Sequence, residues 1–522
     1  MESPPTPTES TPSGRYSAGS LRDGGLALCL VLGAILNARA FQGYVFEDAY
    51  ITFRYAQNLA DGLGFTFNPG ERVLGTSTPL FTLLLAFLGW LGVDIPTAGT
   101  WIYCFALAAA GGLGAWLLGR MGFPNAGALF ALATVWGAGD VFAFSGMETT
   151  LHLALMLATF LAVAHRHTVA VGALLGLLCL NRYDGGVVAV VVGFYLWWVR
   201  GRPPWKEAAI ASAIFGPWLV FAGLHFGTFL PNTLGAKAGD SGLGPYVVGT
   251  LDYLGRALAR PVADPAWLAL ADGSLGWILP CVLVLPVAWA GRRALVHPSV
   301  LGLGPAVVLG LWVGYGLIGP PIHHRWYHLP SVYLLLLAAL ACWGAWVGAR
   351  GRSWPTAGAV VLVAATLLTL PWAADRRGEF YGHRPSQHKV EAYDHFIAWT
   401  IDHRLTNTSI ATPEPGYLTF HTGQRAIDLA GLVTEGIYFH GPRERRSQRR
   451  AVLGQLKPDF VVDIHRGGMP GHALLEDFAP VVRWLSGGTA PSRTLLIRRD
   501  LHRQMGSPEA VVVASPAMGD AK

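Results

Sequence analysis

The stretch Phe46–Pro79, FEDAYITFRYAQNLADGLGFTFNPGERVLGTSTP, decides how the rest of the chain is read. It opens on two adjacent carboxylates, Glu47 and Asp48, directly after the first long apolar segment. An aromatic, arginine-containing amphipathic run follows, then a turn region rich in Gly, Asn and Pro. Long apolar segments continue from there almost to residue 374. Carboxylates beside lipid are costly unless solvated or paired. A polar loop there needs a chemical reason, and the floor of an active site on the outer face of a membrane supplies one.

Composition points the same way. The chain has 522 residues, 52% hydrophobic and 13% charged, against about 25% charged in soluble domains. With 19 Trp and 65 Gly, this is the profile of a polytopic α-helical membrane protein. The net charge of +6 is no argument for nucleic acid, because the Arg clusters lie between apolar segments and fix topology there. Cys29, Cys104, Cys179, Cys281 and Cys342 all fall inside apolar segments, which excludes a disulfide framework and a cysteine metal site in the polar tail. Residues 1–23 are rich in Pro, Ser and Thr and read as a disordered cytoplasmic tail. They are too polar and too long for a signal-peptide n-region, so the first span is expected to stay as an uncleaved anchor.

A hydrocarbon core takes about 20 apolar residues per helix. Candidate spans are 24–42, 97–119, 124–143, 147–164, 168–181, 186–199, 207–227, 275–291, 298–318, 328–349 and 355–374. The segment 79–93 is apolar but short and reads as interfacial or re-entrant. With the N-terminus cytoplasmic, about eleven spans leave Arg120, Arg166, Arg200, Arg292, Arg293 and Arg350 inside and every polar motif outside. Counting 79–93 as a full span would reverse everything after it. The expected organisation is a membrane unit over 24–374, with 46–78 as its first outer loop, and an extracytoplasmic α/β unit over 375–522. In that tail SIATPEPGYLTFHTG reads as a strand, turn and helix start, QRAIDLAGLV and LKPDFVVDI as further strands, and TLLIRRD as the close of a hairpin.

Several motifs carry chemistry. Glu47 and Asp48 suit general-base work or cation binding; the plainer reading has Asp48 capping the next helix and Glu47 solvated. Arg54, Asn68, Glu71, Arg72 and Thr76 follow in the same loop, and so dense a polar set favours function. Glu148, in SGMET, is either an acid at a helix dipole or a substrate contact. Arg182 and Asp184, in NRYDGG, break an apolar region; they pair with each other or line a cavity. LPNTLGAK carries Asn232 and Lys237, the lysine either suited to phosphate or snorkelling at an interface. His323-His324-Arg325-Trp326-Tyr327-His328 offers Arg325 as a phosphate clamp, whereas its histidine spacing matches no zinc pattern and favours hydrogen bonding for His324. The run RERRSQRR, Arg443–Arg450, reads as a solvated face, and Asn407-Thr408-Ser409 matches a glycosylation sequon by a pattern frequent by chance.

Taken in order, FEDAYITFRYAQNLADGLGFTFNPGERVLGTSTPL, SGMETTLHLAL, LNRYDGG, LPNTLGAK, HHRWYHLP and IATPEPGYLTFHTGQRAIDLAGL resemble polytopic GT-C fold glycosyltransferases that use polyprenyl-phosphate-linked sugars. The nearest branch is the actinobacterial terminal arabinofuranosyltransferases acting on cell-wall arabinan. The resemblance covers most of residues 24–465 and is more specific for the superfamily than for the sugar. It implies a base in the first outer loop, where relatives often carry Asp-Asp or Asp-Glu and this chain has Glu47-Asp48; Asp48 is favoured, with Glu47 orienting it or the acceptor. It implies sugar or acceptor contact for Glu148, and places near the donor phosphate for Lys237 and Arg325. It implies acceptor binding by the tail, and a plasma-membrane enzyme that meets a lipid-linked donor and a cell-envelope glycan or glycolipid on the outer face. A monophosphate donor requires no nucleotide fold, and the sequence has no Rossmann fingerprint or P-loop. No cofactor is implied; a divalent cation stays open. The competing classes are a transporter or lipid-glycan flippase, argued from the broken spans at 168–199, and a non-catalytic scaffold whose tail binds glycan.

Overall fold

The computed structural model describes residues 16–43, 45–136, 144–236, 242–259, 300–319, 325–348, 385–434, 451, 453–464, 476–485 and 493–514. Its helices follow the apolar segments closely. They are α1 (Tyr16–Ala40), α2 (Ala49–Ala60), α3 (Pro79–Trp90), α4 (Ile95–Arg120), α5 (Pro124–Trp136), α6 (Thr149–Ala164), α7 (Thr168–Asn181), α8 (Gly185–Arg200) and α9 (Trp205–Phe226). After the short α10 (Asn232–Ala236) come α11 (Leu243–Ala259), α12 (Leu303–Ile318) and α13 (Leu329–Gly348). Among the described residues, α4, α9 and the Asp23–Ala40 part of α1 are long and apolar enough to cross a membrane. The α3 helix has 12 residues, a rise of about 18 Å against a hydrocarbon core of about 30 Å. The sequence likewise showed a short apolar segment here. The expected spans 275–291 and 355–374 lie outside the described residues.

Two sequence expectations are corrected here. Helix α1 begins at Tyr16, inside the segment read as a disordered tail. The segment 228–274, left without a span between the expected spans 207–227 and 275–291, contains the 17-residue α11. Tyr246 on this helix is fully buried in the main core and stacks on Tyr315 and His328. An amphipathic helix whose apolar face meets neighbouring helices is held by packing, which local polarity does not reveal.

The C-terminal part holds a mixed six-stranded sheet in the order β2-β1-β3-β5-β4-β6. The strands are β1 (Ser409–Thr412), β2 (Arg425–Asp428), β3 (Phe460–Ile464), β4 (Phe478–Leu485), β5 (Arg493–Arg498) and β6 (Val511–Ala514). β1 pairs in parallel with β2 and β3, and β4 with β5 forms the antiparallel hairpin read from TLLIRRD. β1 and β2 are buried almost throughout, the pattern of strands covered on both faces. α14 (Pro385–Asp402) and α15 (Gly416–Thr422) cover one face through Tyr393, Phe396, Trp399 and Leu418, and α16 (Arg499–Gln504) follows β5. The other face buries Ala411, Ile427, Val461 and Leu496 against Leu453.

What positions the site is the seam between these two parts. Helix α2 is buried on nearly every side. Its Tyr50 and Phe53 enter the core of the membrane helices. Its Ile51 and Tyr55 join a second core with Phe65, Phe67 and Leu74 of the loop, Trp218 of α9, and Ala426, Leu432 and Val433 of the C-terminal part. The run read as amphipathic thus has two apolar faces, because a partner from more than 350 residues later covers the second. Each buried aromatic contributes about 1.5–3 kcal/mol.

Candidate active site

Three motifs meet at one aromatic triangle. The Phe46 ring centroid lies 5.6 Å from Phe144 and 5.1 Å from Trp326, and Phe144 and Trp326 are 5.7 Å apart. The Phe46 amide donates to the Ser145 carbonyl at 3.0 Å. Gly146, at φ +86, turns the chain where a Cβ would stand 2.6 Å from Val45. A left-handed glycine is therefore what allows this approach. The triangle sets Glu47-Asp48, Glu148 and the 3-10 turn Arg325–Tyr327 around one centre.

The two leading acids differ. Glu47 Oε1 accepts the amide of Gly416, the first residue of α15, at 2.8 Å. A Cβ on Gly416 would lie 2.4 Å from the Glu47 carbonyl oxygen, so glycine permits the contact. Asp48 occupies the N-cap position of α2, yet its side chain makes no capping hydrogen bond. The capping role that the sequence allowed is not taken up. Both acids are half-buried.

Arg54 departs from the expectation of a substrate contact. Its guanidinium is 5% exposed and donates to the carbonyls of Phe67 (2.8 Å), Thr419, Gly423 (3.5 Å) and Gln424 (2.7 Å), above the Phe67 ring. Burial pulls its pKa down to about 10, with Glu71 opposing. These four hydrogen bonds all end on backbone carbonyls, so Arg54 staples the C-terminal part to the loop. Asn68 and Ala426 exchange two hydrogen bonds, and Arg425 pairs with Glu71 at 2.7 Å in the same seam. Asn232 ties in through its amide, which donates to the Leu74 carbonyl at 2.9 Å.

Glu148, Arg182 and Asp184 form one buried network. Arg182 Nη1 donates to Glu148 Oε1 at 2.8 Å, and its Nε to Asp184 Oδ1 at 3.0 Å. Arg182 Nη2 reaches Asp184 Oδ2 at 3.1 Å and the Tyr315 hydroxyl at 3.2 Å. The Tyr315 hydroxyl itself donates to Asp184 Oδ2. Arg182 lies over the Tyr327 ring at 5.4 Å. His152 Nε2 lies 3.4 Å from Asp184 Oδ1 without hydrogen-bond geometry. The pairing of Arg182 with Asp184 is thus real, and Glu148 joins it. Glu148 sits at the N-cap of α6 without capping it. Tyr315 and His152 were not singled out in the sequence. His152 stood in the quoted SGMETTLHLAL as a ring in an apolar run, a usable signal; Tyr315 had none.

Lys237, His324 and the side chain of Arg325 lie outside the described residues, as does the run Arg443–Arg450. No three His, Cys, Asp or Glu side chains converge among the described residues, and Glu148 and Asp184 already share Arg182.

The chain shares its fold with an archaeal oligosaccharyltransferase. The apo crystal structure of the Archaeoglobus fulgidus oligosaccharyltransferase superposes with a TM-score of 0.50 at 13% identity, covering 92% of this chain and 74% of that one. AglB from Archaeoglobus fulgidus, in complex with an inhibitory peptide and a dolichol-phosphate, gives 0.49 at 12% identity over 86% of this chain and 70% of its own. The fold statement rests on the first. No family model and no curated protein matches the chain. The apo oligosaccharyltransferase is a GT-C fold glycosyltransferase, the fold class that the motif resemblance implied.

Proposed function

We propose that the protein is an inverting glycosyltransferase that moves a sugar from a polyprenyl-phosphate donor to a cell-envelope glycan or glycolipid on the outer face of the plasma membrane. The observation that carries this is the triangle of Phe46, Phe144 and Trp326, which gathers two acidic motifs and the turn of Arg325. Asp48 takes the proton of the acceptor hydroxyl. The freed oxygen attacks the anomeric carbon opposite the phosphate, the sugar–phosphate C–O bond breaks, and polyprenyl phosphate leaves with inversion. Lys237 and Arg325 balance the charge that develops on the departing phosphate. Glu47 is held by Gly416 and fixes the loop beside Asp48. Glu148 receives a hydroxyl of sugar or acceptor. Arabinofuranose is the sugar favoured by the motif resemblance.

The test is transfer by the purified full chain, in nanodiscs, from a radiolabelled polyprenyl-phosphate sugar to envelope glycan. Labelled glycan with inverted linkage supports the reading. Movement of intact donor across a liposome with no glycan product would establish a flippase instead.

A further inference from the structure

The sequence offers Arg182 and Asp184 as a mutual pair or as the lining of a cavity, and in the structure their hydrogen bonds are already taken. Arg182 donates through Nε and Nη2 to Asp184, through Nη1 to Glu148, and from Nη2 to Tyr315. Both Asp184 oxygens are occupied by Arg182, with the Tyr315 hydroxyl adding to Oδ2. Glu148 differs. Only its Oε1 accepts a bond, from Arg182, and no described residue donates to Oε2. Three elements converge on this one guanidinium: the start of α6, the α7–α8 break and α12, with the Tyr327 ring beneath it. A charge fixed on so many sides is set in angle as well as in place, which a planar fork permits and an ammonium does not.

We infer that Arg182, Asp184 and Tyr315 form a positioning clamp that aims Glu148, leaving Oε2 to accept a hydroxyl of the transferred sugar or its acceptor. This rests on the glycosyltransferase reading for its chemistry, and on contacts alone for its geometry. Asp184 and Tyr315 touch no substrate; they act through Arg182 on Glu148. The charged and titratable groups around the clamp are Glu148, Asp184 and Arg182, His152 on α6, Cys179 on α7, Tyr246 on α11, and Tyr327 and Tyr315. A carboxylate misplaced by about 1 Å is enough to lower turnover on the order of a hundredfold.

The test is a double-mutant cycle on the full chain with Tyr315→Phe and Glu148→Gln. Tyr315→Phe deletes one hydroxyl and keeps the ring. It should lower kcat by about tenfold or more with the donor KM unchanged, and this loss should vanish when Glu148 is already Gln, since coupled residues are not additive. Thermal unfolding of the same four proteins reads the coupling without chemistry: the clamp predicts that Tyr315→Phe shifts Tm less in the Glu148→Gln background than alone. Losses that simply multiply in kcat, or Tm shifts that add, overturn the clamp. Coupled Tm shifts in a protein that transfers no sugar would keep the clamp and overturn the function.

Discussion

Two regions of this protein are built around buried arginines with similar exposure, 5% for each. Arg54 meets backbone carbonyls from residues 67, 419, 423 and 424 and so joins two parts of the chain. Arg182 meets two carboxylates from motifs 34 and 2 residues away and so holds acids in place. In sequence both look like cations near a membrane face. The partners separate them: neutral acceptors make a staple, whereas anions make an electrostatic clamp with an orientation. A buried cation near a candidate site is therefore no measure of phosphate binding until its acceptors are known.

That contrast can be broken by substitution. Arg182→Gln strands Glu148 and Asp184 without their counter-charge, which costs about 3–5 kcal/mol for a buried pair; the expected outcome is loss of transfer and a large fall in Tm. Arg54→Gln leaves buried carbonyls short of donors at about 1–3 kcal/mol each. It should lower Tm and loosen the seam, seen as faster proteolysis after residue 385, with a smaller drop in kcat. Gly416→Ala forces a methyl onto the Glu47 carbonyl, an overpacking cost of about 1–3 kcal/mol, and should weaken the same seam while leaving the Arg182 network intact. Hydrogen exchange on the two regions separates these effects.

The smallest expected effect is a pH effect. Burial lowers the pKa of His421 on α15, against the opposing pull of Asp394 and Asp94. A histidine with a depressed folded pKa stabilises the fold above its unfolded value of about 6.5, and that contribution falls as pH drops below it. The His421 ring packs on Tyr50 and Tyr417 while much of the residue stays open to solvent, so its desolvation is partial and screening keeps the effect small. His421→Gln should flatten slightly the fall in Tm between about pH 6.5 and 5. In the same group burial raises the hydroxyl pKa of Tyr50 and Tyr417, with acidic neighbours adding to the rise, so both stay neutral across this range.

Much of the helical scaffold was legible because apolar runs mark helices whatever they pack against; α4, α6, α7, α8 and α9 lie close to the expected boundaries. The strands β1, β2, β3 and β5 were legible from β-branched and apolar runs between turn residues. What escaped is what depends on distant partners. Arg54 reads as a ligand because three of its four carbonyl acceptors arrive some 365 residues later or more. Tyr315 sits in LGPAVVLGLWVGYGLI, where nothing local distinguishes a clamp from an interfacial ring. Helix α11 was hidden because its polar face resembles a loop. The pairing of Arg182 with Asp184 was readable because both partners stand in one short motif.

The proposed transfer depends on which leading acid takes the proton. Glu47 accepts a backbone amide, a task that a glutamine oxygen can also perform. Measured side by side in the nanodisc transfer assay, Glu47→Gln is expected to retain kcat within about tenfold, whereas Asp48→Asn should lose about 10²–10⁴-fold, the usual contribution of a general base. Wild-type turnover in folded Asp48→Asn, or a larger loss from Glu47→Gln than from Asp48→Asn, would contradict it.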